Sequence, residues 1–101
     1  MINEMKIRGL VKELEKLDPN DPRIEDYWKL LTKEMSINVD ETIEFINSCN
    51  ENEVYWLSPI FEDISWIFQS QKFIEALKRL QEKYPKLDLE VDIMYAEMSM
   101  K

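Results

Sequence analysis

Three carboxylates near the C-terminus have a spacing that resembles a metal site. Asp88, Glu90 and Asp92 follow the i, i+2, i+4 pattern of the first ligands in a calcium-binding loop. That loop also needs a Gly at its sixth position and a Glu at its twelfth, where this chain has Ile93 and Ser99. We therefore expect no calcium site here and no metal site elsewhere.

The chain lacks the usual side chains of catalysis. It has no His, which is the commonest general base and metal ligand, and its single Gly cannot form a phosphate-binding loop. Cys49 has no His to activate it and no second Cys, so we interpret it as a small buried residue in a reducing compartment. Glu62 and Asp63 are adjacent and diverge on a helix, which favours a solvated face over an acid–base pair. We predict no enzyme activity and no cofactor.

The acidic residues are concentrated in the middle of the chain. Residues 34–71 contain eight acidic and no basic residues, whereas the remainder contains 13 of each, so this segment carries the whole net charge of −8. A pI near 4.5 argues against nucleic acid as a partner, because phosphates would be repelled. An acidic surface attracts a basic protein and speeds its association, although the charge could instead serve solubility alone.

The same segment carries a helical apolar stripe. Its members recur at spacings of three and four and predict a helix over about 53–69, with a kink or tight break at Ser58-Pro59: Val54, Leu57, Phe61, Ile64 and Phe68. Tyr55, Glu62 and Trp66 fall on the opposite face. Two alternatives follow, because either neighbouring helices or a partner protein must cover the two aromatic rings. Tyr and Trp are frequent interface anchors. The predicted partner-binding residues are Asp40, Glu41, Glu44, Glu51, Glu53, Tyr55, Glu62, Asp63 and Trp66.

Capping and breaking residues predict five further helices. Two precede the acidic segment, over 3–16 and from Asp21-Pro22 to about 35. A third is predicted over 39–49 with Asn38 as its cap and Phe45 at the margin of its buried face, followed by a connector over 50–52. Another runs over 71–84 after Ser70. The last is ambiguous, because the alternation over 87–93 also fits a strand; we favour a helix, since no partner strand is evident.

These elements predict one all-α domain over residues 1–101. About six short helices joined by connectors of about 2 to 6 residues form antiparallel hairpins, in a compact bundle or a short right-handed α-α stack. No apolar run is long enough to span a membrane and no signal peptide is visible, so we expect a cytoplasmic protein that is a monomer when free.

The C-terminal half resembles a known class of proteins. The runs VYWLSPIFEDIS (54–65), FQSQKFIEAL (68–77) and LQEKYPKLDLE (80–90) are similar to small all-helical bacterial immunity proteins of contact-dependent inhibition and polymorphic toxin systems. The resemblance implies a protein that binds and neutralises a cognate toxin domain, often a nuclease, and it transfers no individual functional residues. Our hypothesis is that the acidic surface binds a basic toxin nuclease. The alternative is a non-catalytic helical adaptor or structural subunit that binds another protein with little dependence on salt.

Overall fold

The computed structural model describes residues 2–101, and these residues form helices and no strand. The α-helices are α1 (Glu4–Glu15), α2 (Arg23–Met35), α3 (Val39–Ser48), α4 (Glu51–Leu57), α5 (Phe61–Phe68), α6 (Gln71–Lys83) and α7 (Glu90–Met98). Single 3₁₀ turns, Ser58–Ile60 and Pro85–Leu87, precede α5 and α7. Since α4 and α5 together correspond to the predicted fourth helix, the all-α prediction with six helices in a compact bundle is confirmed.

Asparagine side chains begin three of the helices. The Asn3 and Asn38 side chains accept the backbone N–H groups of the residues three positions on, as N-caps do. Asn50 does the same for Glu53 at 2.8 Å, and the Glu53 carboxylate accepts the Asn50 N–H at 2.9 Å. This capping box starts α4 at Glu51, so the prediction of a connector over 50–52 was wrong.

The joint between α4 and α5 is tight. Ser58 retains helical dihedral angles, and its backbone N–H still donates to the Val54 carbonyl. Pro59 has no N–H to continue the helical hydrogen bonds, so the chain passes through one 3₁₀ turn and resumes as α5. The apolar stripe therefore stays in phase, and Val54, Leu57, Phe61 and Ile64 are all buried.

The helices pack around one core. α1 packs against α2 and α4, α6 packs against both α3 and α7, and α5 packs mainly against α7. Edge-to-face contacts join the Phe73 ring to the Phe61 and Phe68 rings, with centroids 6.4 and 5.8 Å apart. Phe45 is fully buried, which corrects its predicted place at the margin of α3. Its ring lies 4.8 Å beneath the Arg8 guanidinium of α1, a neighbour that the sequence of α3 does not reveal.

The helical interpretation of the C-terminal element is confirmed. The period-two alternation is interrupted at Asp88, which has a left-handed conformation with φ of 52° after the turn Pro85–Leu87. α7 then begins at Glu90, and the Gln81 side chain of α6 accepts the backbone N–H of Leu89. Among residues 2–101, no helix is both long and apolar enough to cross a bilayer.

Candidate protein-binding surface

The outer side of α4 and α5 exposes two aromatic rings. Tyr55 is 55% exposed and Trp66 is 52% exposed, because the opposite side of the same helices fills the core. Of the two alternatives that the sequence left open, coverage of these rings by neighbouring helices is therefore wrong for this chain. Tyr55 packs edge-to-face on Trp56, with ring centroids 5.4 Å apart, which holds one side of its ring in place.

Carboxylates accompany these rings on the same two helices. Glu51 lies in the first turn of α4, and Glu62 and Asp63 lie in the first turn of α5, where the helix dipole favours negative charge. All three are exposed, and none forms an ion pair with any residue within 2–101. Their charge is therefore directed to solvent.

Within residues 2–101, basic residues from outside the acidic segment form ion pairs with Glu34, Asp40 and Glu53. Lys6 pairs with Glu34 at 2.8 Å, and Lys72 approaches Asp40 at 3.6 Å. Arg8 donates through Nε to the Glu53 carboxylate at 3.0 Å, while Glu53 also completes the capping box of α4. Glu53 therefore supports the fold, whereas the Asp40 pair is largely exposed and contributes little.

The acidic residues of α3 lie on a different helix from the exposed rings of Tyr55 and Trp66. Asp40 and Glu44 are exposed, and Glu41 is half-buried with its backbone N–H bonded to Asn38 at 3.0 Å. α3 packs mainly against α6, whereas α5 packs mainly against α7. The predicted set is thus divided between α3 and the bent helix formed by α4 and α5. Glu51, Tyr55, Glu62, Asp63 and Trp66 belong to the bent α4–α5 helix, and we call these five residues the α4–α5 surface.

An open groove of about 680 Å³ borders this surface between α2 and α5. Asp63 and Ile67 form its α5 side; one face of α2 forms the other, through Glu25, Trp28, Lys29, Thr32, Lys33 and Ser36. Trp28 Nε1 and Ser36 Oγ are buried there without a hydrogen-bond partner among the described residues. This groove was not predicted from the sequence. The available signal was the helical spacing of Glu25, Trp28, Lys29, Thr32 and Lys33 on α2, with Ser36 just beyond the end of that helix.

The remaining titratable groups do not assemble a reactive centre. Burial raises the pKa of the Cys49 thiol to about 12, the nearby Glu53 charge acts in the same direction, and the sulfur lies 3.3 Å from the Phe45 carbonyl oxygen. Burial, followed by repulsion from Asp88, raises the pKa of Asp92. Among residues 2–101, no group of three or more Cys, Asp or Glu side chains is arranged to hold a metal ion.

No protein family, no curated protein and no solved structure matches this chain. The resemblance of the C-terminal half to helical immunity proteins therefore stays a prediction.

Proposed function

We propose that this chain is a non-catalytic immunity protein that binds and neutralises a basic toxin domain, such as a nuclease, through the α4–α5 surface. The observation that carries the proposal is the half-exposed Trp66 on a helix whose first turn holds two carboxylates that form no ion pair within residues 2–101. An aromatic anchor next to uncompensated charge supplies both affinity and steering for a cationic surface.

The chemistry of Trp66 supports a cationic partner. The Lys101 ammonium lies 4.7 Å from the centroid of the Trp66 ring, so this ring face already accommodates a positive charge. A nuclease that binds phosphates carries Lys and Arg in its cleft, and acidic side chains can occupy such a cleft by imitating the charge of its substrate. A Lys or Arg of the toxin would replace Lys101 over the ring.

The decisive experiment is co-expression with the product of the adjacent reading frame. We expect a stable complex and loss of the partner's toxicity. Absence of both complex and protection would contradict the proposal.

Single substitutions then locate the contact. Trp66→Ala should weaken the complex more than about tenfold, as expected for an aromatic anchor. Glu62→Lys should slow association and reduce its salt dependence. Glu13→Lys is the matched control, because it makes the same charge change on an exposed residue of α1. Equal effects of Glu62→Lys and Glu13→Lys would show that net charge, and not this surface, governs association.

A helical adaptor that binds another protein without inhibiting it is the second candidate. The apolar side chains that α7 exposes favour it, because an uncovered apolar stripe can pack on a partner protein. Trp66→Ala separates the candidates, since only binding through the α4–α5 surface predicts that this substitution weakens the complex.

A further inference from the structure

The terminal helix α7 is apolar on two faces. Its inner face is buried through Leu89, Ile93 and Ala96. Its outer face carries four large apolar side chains that are 47–70% exposed: Val91, Met94, Tyr95 and Met98. These four occupy positions i, i+3, i+4 and i+7, which is the spacing of an apolar helix stripe that packs on another helix. The outer stripe has no covering element among residues 2–101.

The stripe continues into a groove between α6 and α7. This groove has a volume of about 540 Å³ and is lined on the α7 side by Ile93, Met94 and Met98. Lys78, Gln81 and Glu82 form its α6 side. Methionine side chains are flexible and polarisable, so they adapt to the shape of an incoming apolar side chain. A stripe beside a groove is the geometry that receives an amphipathic helix.

The charged residues around the stripe indicate which kind of partner would bind there. Glu90 and Glu97 of α7 and Glu82 of α6 line the groove, whereas its basic residue Lys78 is engaged with Glu97 at 3.6 Å. A second copy of this chain would bring its own α7 acids against these acids, at a net charge of −8 per chain. A helix with Lys or Arg beside its apolar stripe would instead meet opposite charges.

We propose that the outer face of α7 and its groove with α6 form a docking site for an amphipathic helix of another protein, with basic residues flanking its apolar stripe. This site shares no residue with the α4–α5 surface, and the inference does not depend on the proposed function.

The test uses two synthetic helical peptides and the full chain. Each peptide has about 18 residues, which is long enough to form a helix in water, with a Leu and Ala stripe. One peptide has Lys at the flanking positions and the other has Glu. Fluorescence anisotropy should show the Lys peptide binding at least about tenfold more tightly than the Glu peptide.

A charge-neutral variant distinguishes docking from general attraction to an acidic protein. The double substitution Met94→Gln and Met98→Gln should lower the affinity for the Lys peptide about tenfold or more. It removes apolar contacts and leaves the net charge of the protein unchanged. Both side chains are exposed, so the fold is retained, and far-ultraviolet circular dichroism checks this. Met5→Gln is the matched control, because Met5 is an exposed methionine on α1 and should have no effect.

Three results would overturn the inference. The Lys peptide could fail to bind at millimolar concentration, or it could bind the doubly substituted variant as tightly as the original chain. Sedimentation could also show a dimer that the same double substitution dissociates, which would make a second copy the occupant. None of these results bears on the α4–α5 surface, whose test uses a different partner and different residues.

Discussion

The Ser65 hydroxyl of α5 donates a hydrogen bond of 2.9 Å to the carbonyl oxygen of Ala96 in α7. Both residues are completely buried, and both have small side chains that let the two helices approach closely. α7 carries the proposed docking stripe and is held to the core chiefly through α5 and α6. The bond therefore helps to position a helix whose outer face is not covered by any other part of residues 2–101.

We expect Ser65→Ala to lower the free energy of unfolding by about 1 kcal/mol, the typical net contribution of one hydrogen bond. The Ala96 carbonyl also accepts from the Ser99 hydroxyl at 2.6 Å, so it does not lose every partner. Urea denaturation measures the change. Ser70→Ala is the control, because the Ser70 side chain does not cap α6, and it should cost less than about 0.5 kcal/mol. If Ser70→Ala lowered the free energy of unfolding more than Ser65→Ala, it would contradict both the buried hydrogen bond of Ser65 and the absence of a cap from the Ser70 side chain.

Two hydroxyls around the α2–α3 connection should respond in opposite ways. Ser36 Oγ is buried without a hydrogen-bond partner among the described residues, so Ser36→Ala should leave stability unchanged or raise it by up to about 1 kcal/mol. Thr42 is buried and its hydroxyl donates to the Met35 carbonyl, so Thr42→Val should cost about 1 kcal/mol or more. Thermal and urea unfolding of both variants check this. A marked loss of stability in Ser36→Ala would mean that its hydroxyl has a partner in solution.

Cys49 should resist thiol reagents while the protein is folded. Its thiol is buried and its pKa is raised to about 12, so at pH 8 it is neither ionised nor accessible. We expect labelling at least about 10³-fold slower than for an exposed thiol, because reaction requires unfolding. Met5→Cys in a Cys49→Ala background supplies that exposed thiol. Rapid labelling of native Cys49 would contradict its burial.

The raised pKa of Cys49 also predicts a loss of stability in alkali. The unfolded chain releases the thiol proton near the ordinary pKa of 9.0, whereas the folded chain retains it to about 12. The stabilisation is therefore complete below pH 9 and is lost as pH rises from there. Relative to Cys49→Ala, the original chain should lose stability progressively across this interval.

Asp92→Asn should stabilise the protein at pH 7. Burial and then repulsion from Asp88 raise the Asp92 pKa, so the folded state favours the protonated carboxyl. That favourable contribution is present below the ordinary pKa of 3.8 and is lost as pH rises through the folded value. The advantage of Asp92→Asn should therefore disappear below about pH 4, as melting temperatures measured from pH 3 to 7 would show.

Glu90→Gln is the control for this titration, because Glu90 is an exposed carboxylate in the same first turn of α7. It should not stabilise at pH 7, since it removes a charge that the helix dipole favours by about 0.3–1 kcal/mol. If Asp92→Asn and Glu90→Gln raised the stability at pH 7 equally, general repulsion among the acidic residues would outweigh the local environment of Asp92.

The helices were predicted well where a capping residue and an apolar stripe in the sequence indicate the same element. Asn38 accepts the Glu41 N–H as expected, and Ser58-Pro59 interrupts the fourth helix without disturbing its buried face. The start of α4 was misplaced because Asn52 and its neighbours read as a connector, although Asn50 and Glu53 have capping-box spacing. Such errors affect element boundaries and not the number of elements.

The candidate site was harder to predict, because its members depend on distant residues. Glu53 has the sequence context of a surface acid, yet Arg8, 45 residues away, engages it. Glu34 is similarly engaged by Lys6 across 28 residues. No local pattern indicates which acids will meet a base, so the sequence overstated the charge that reaches solvent.

The amino-acid sequence alone determined the helical class, the position of the Pro59 joint and the apolar stripes, because these depend on interactions within about one helical turn. Only the tertiary structure decided that Trp66 is exposed, that Phe45 is buried and that α7 keeps an uncovered apolar stripe. Exposure is decided by which helices pack against a face, and that choice depends on contacts between residues far apart in the chain.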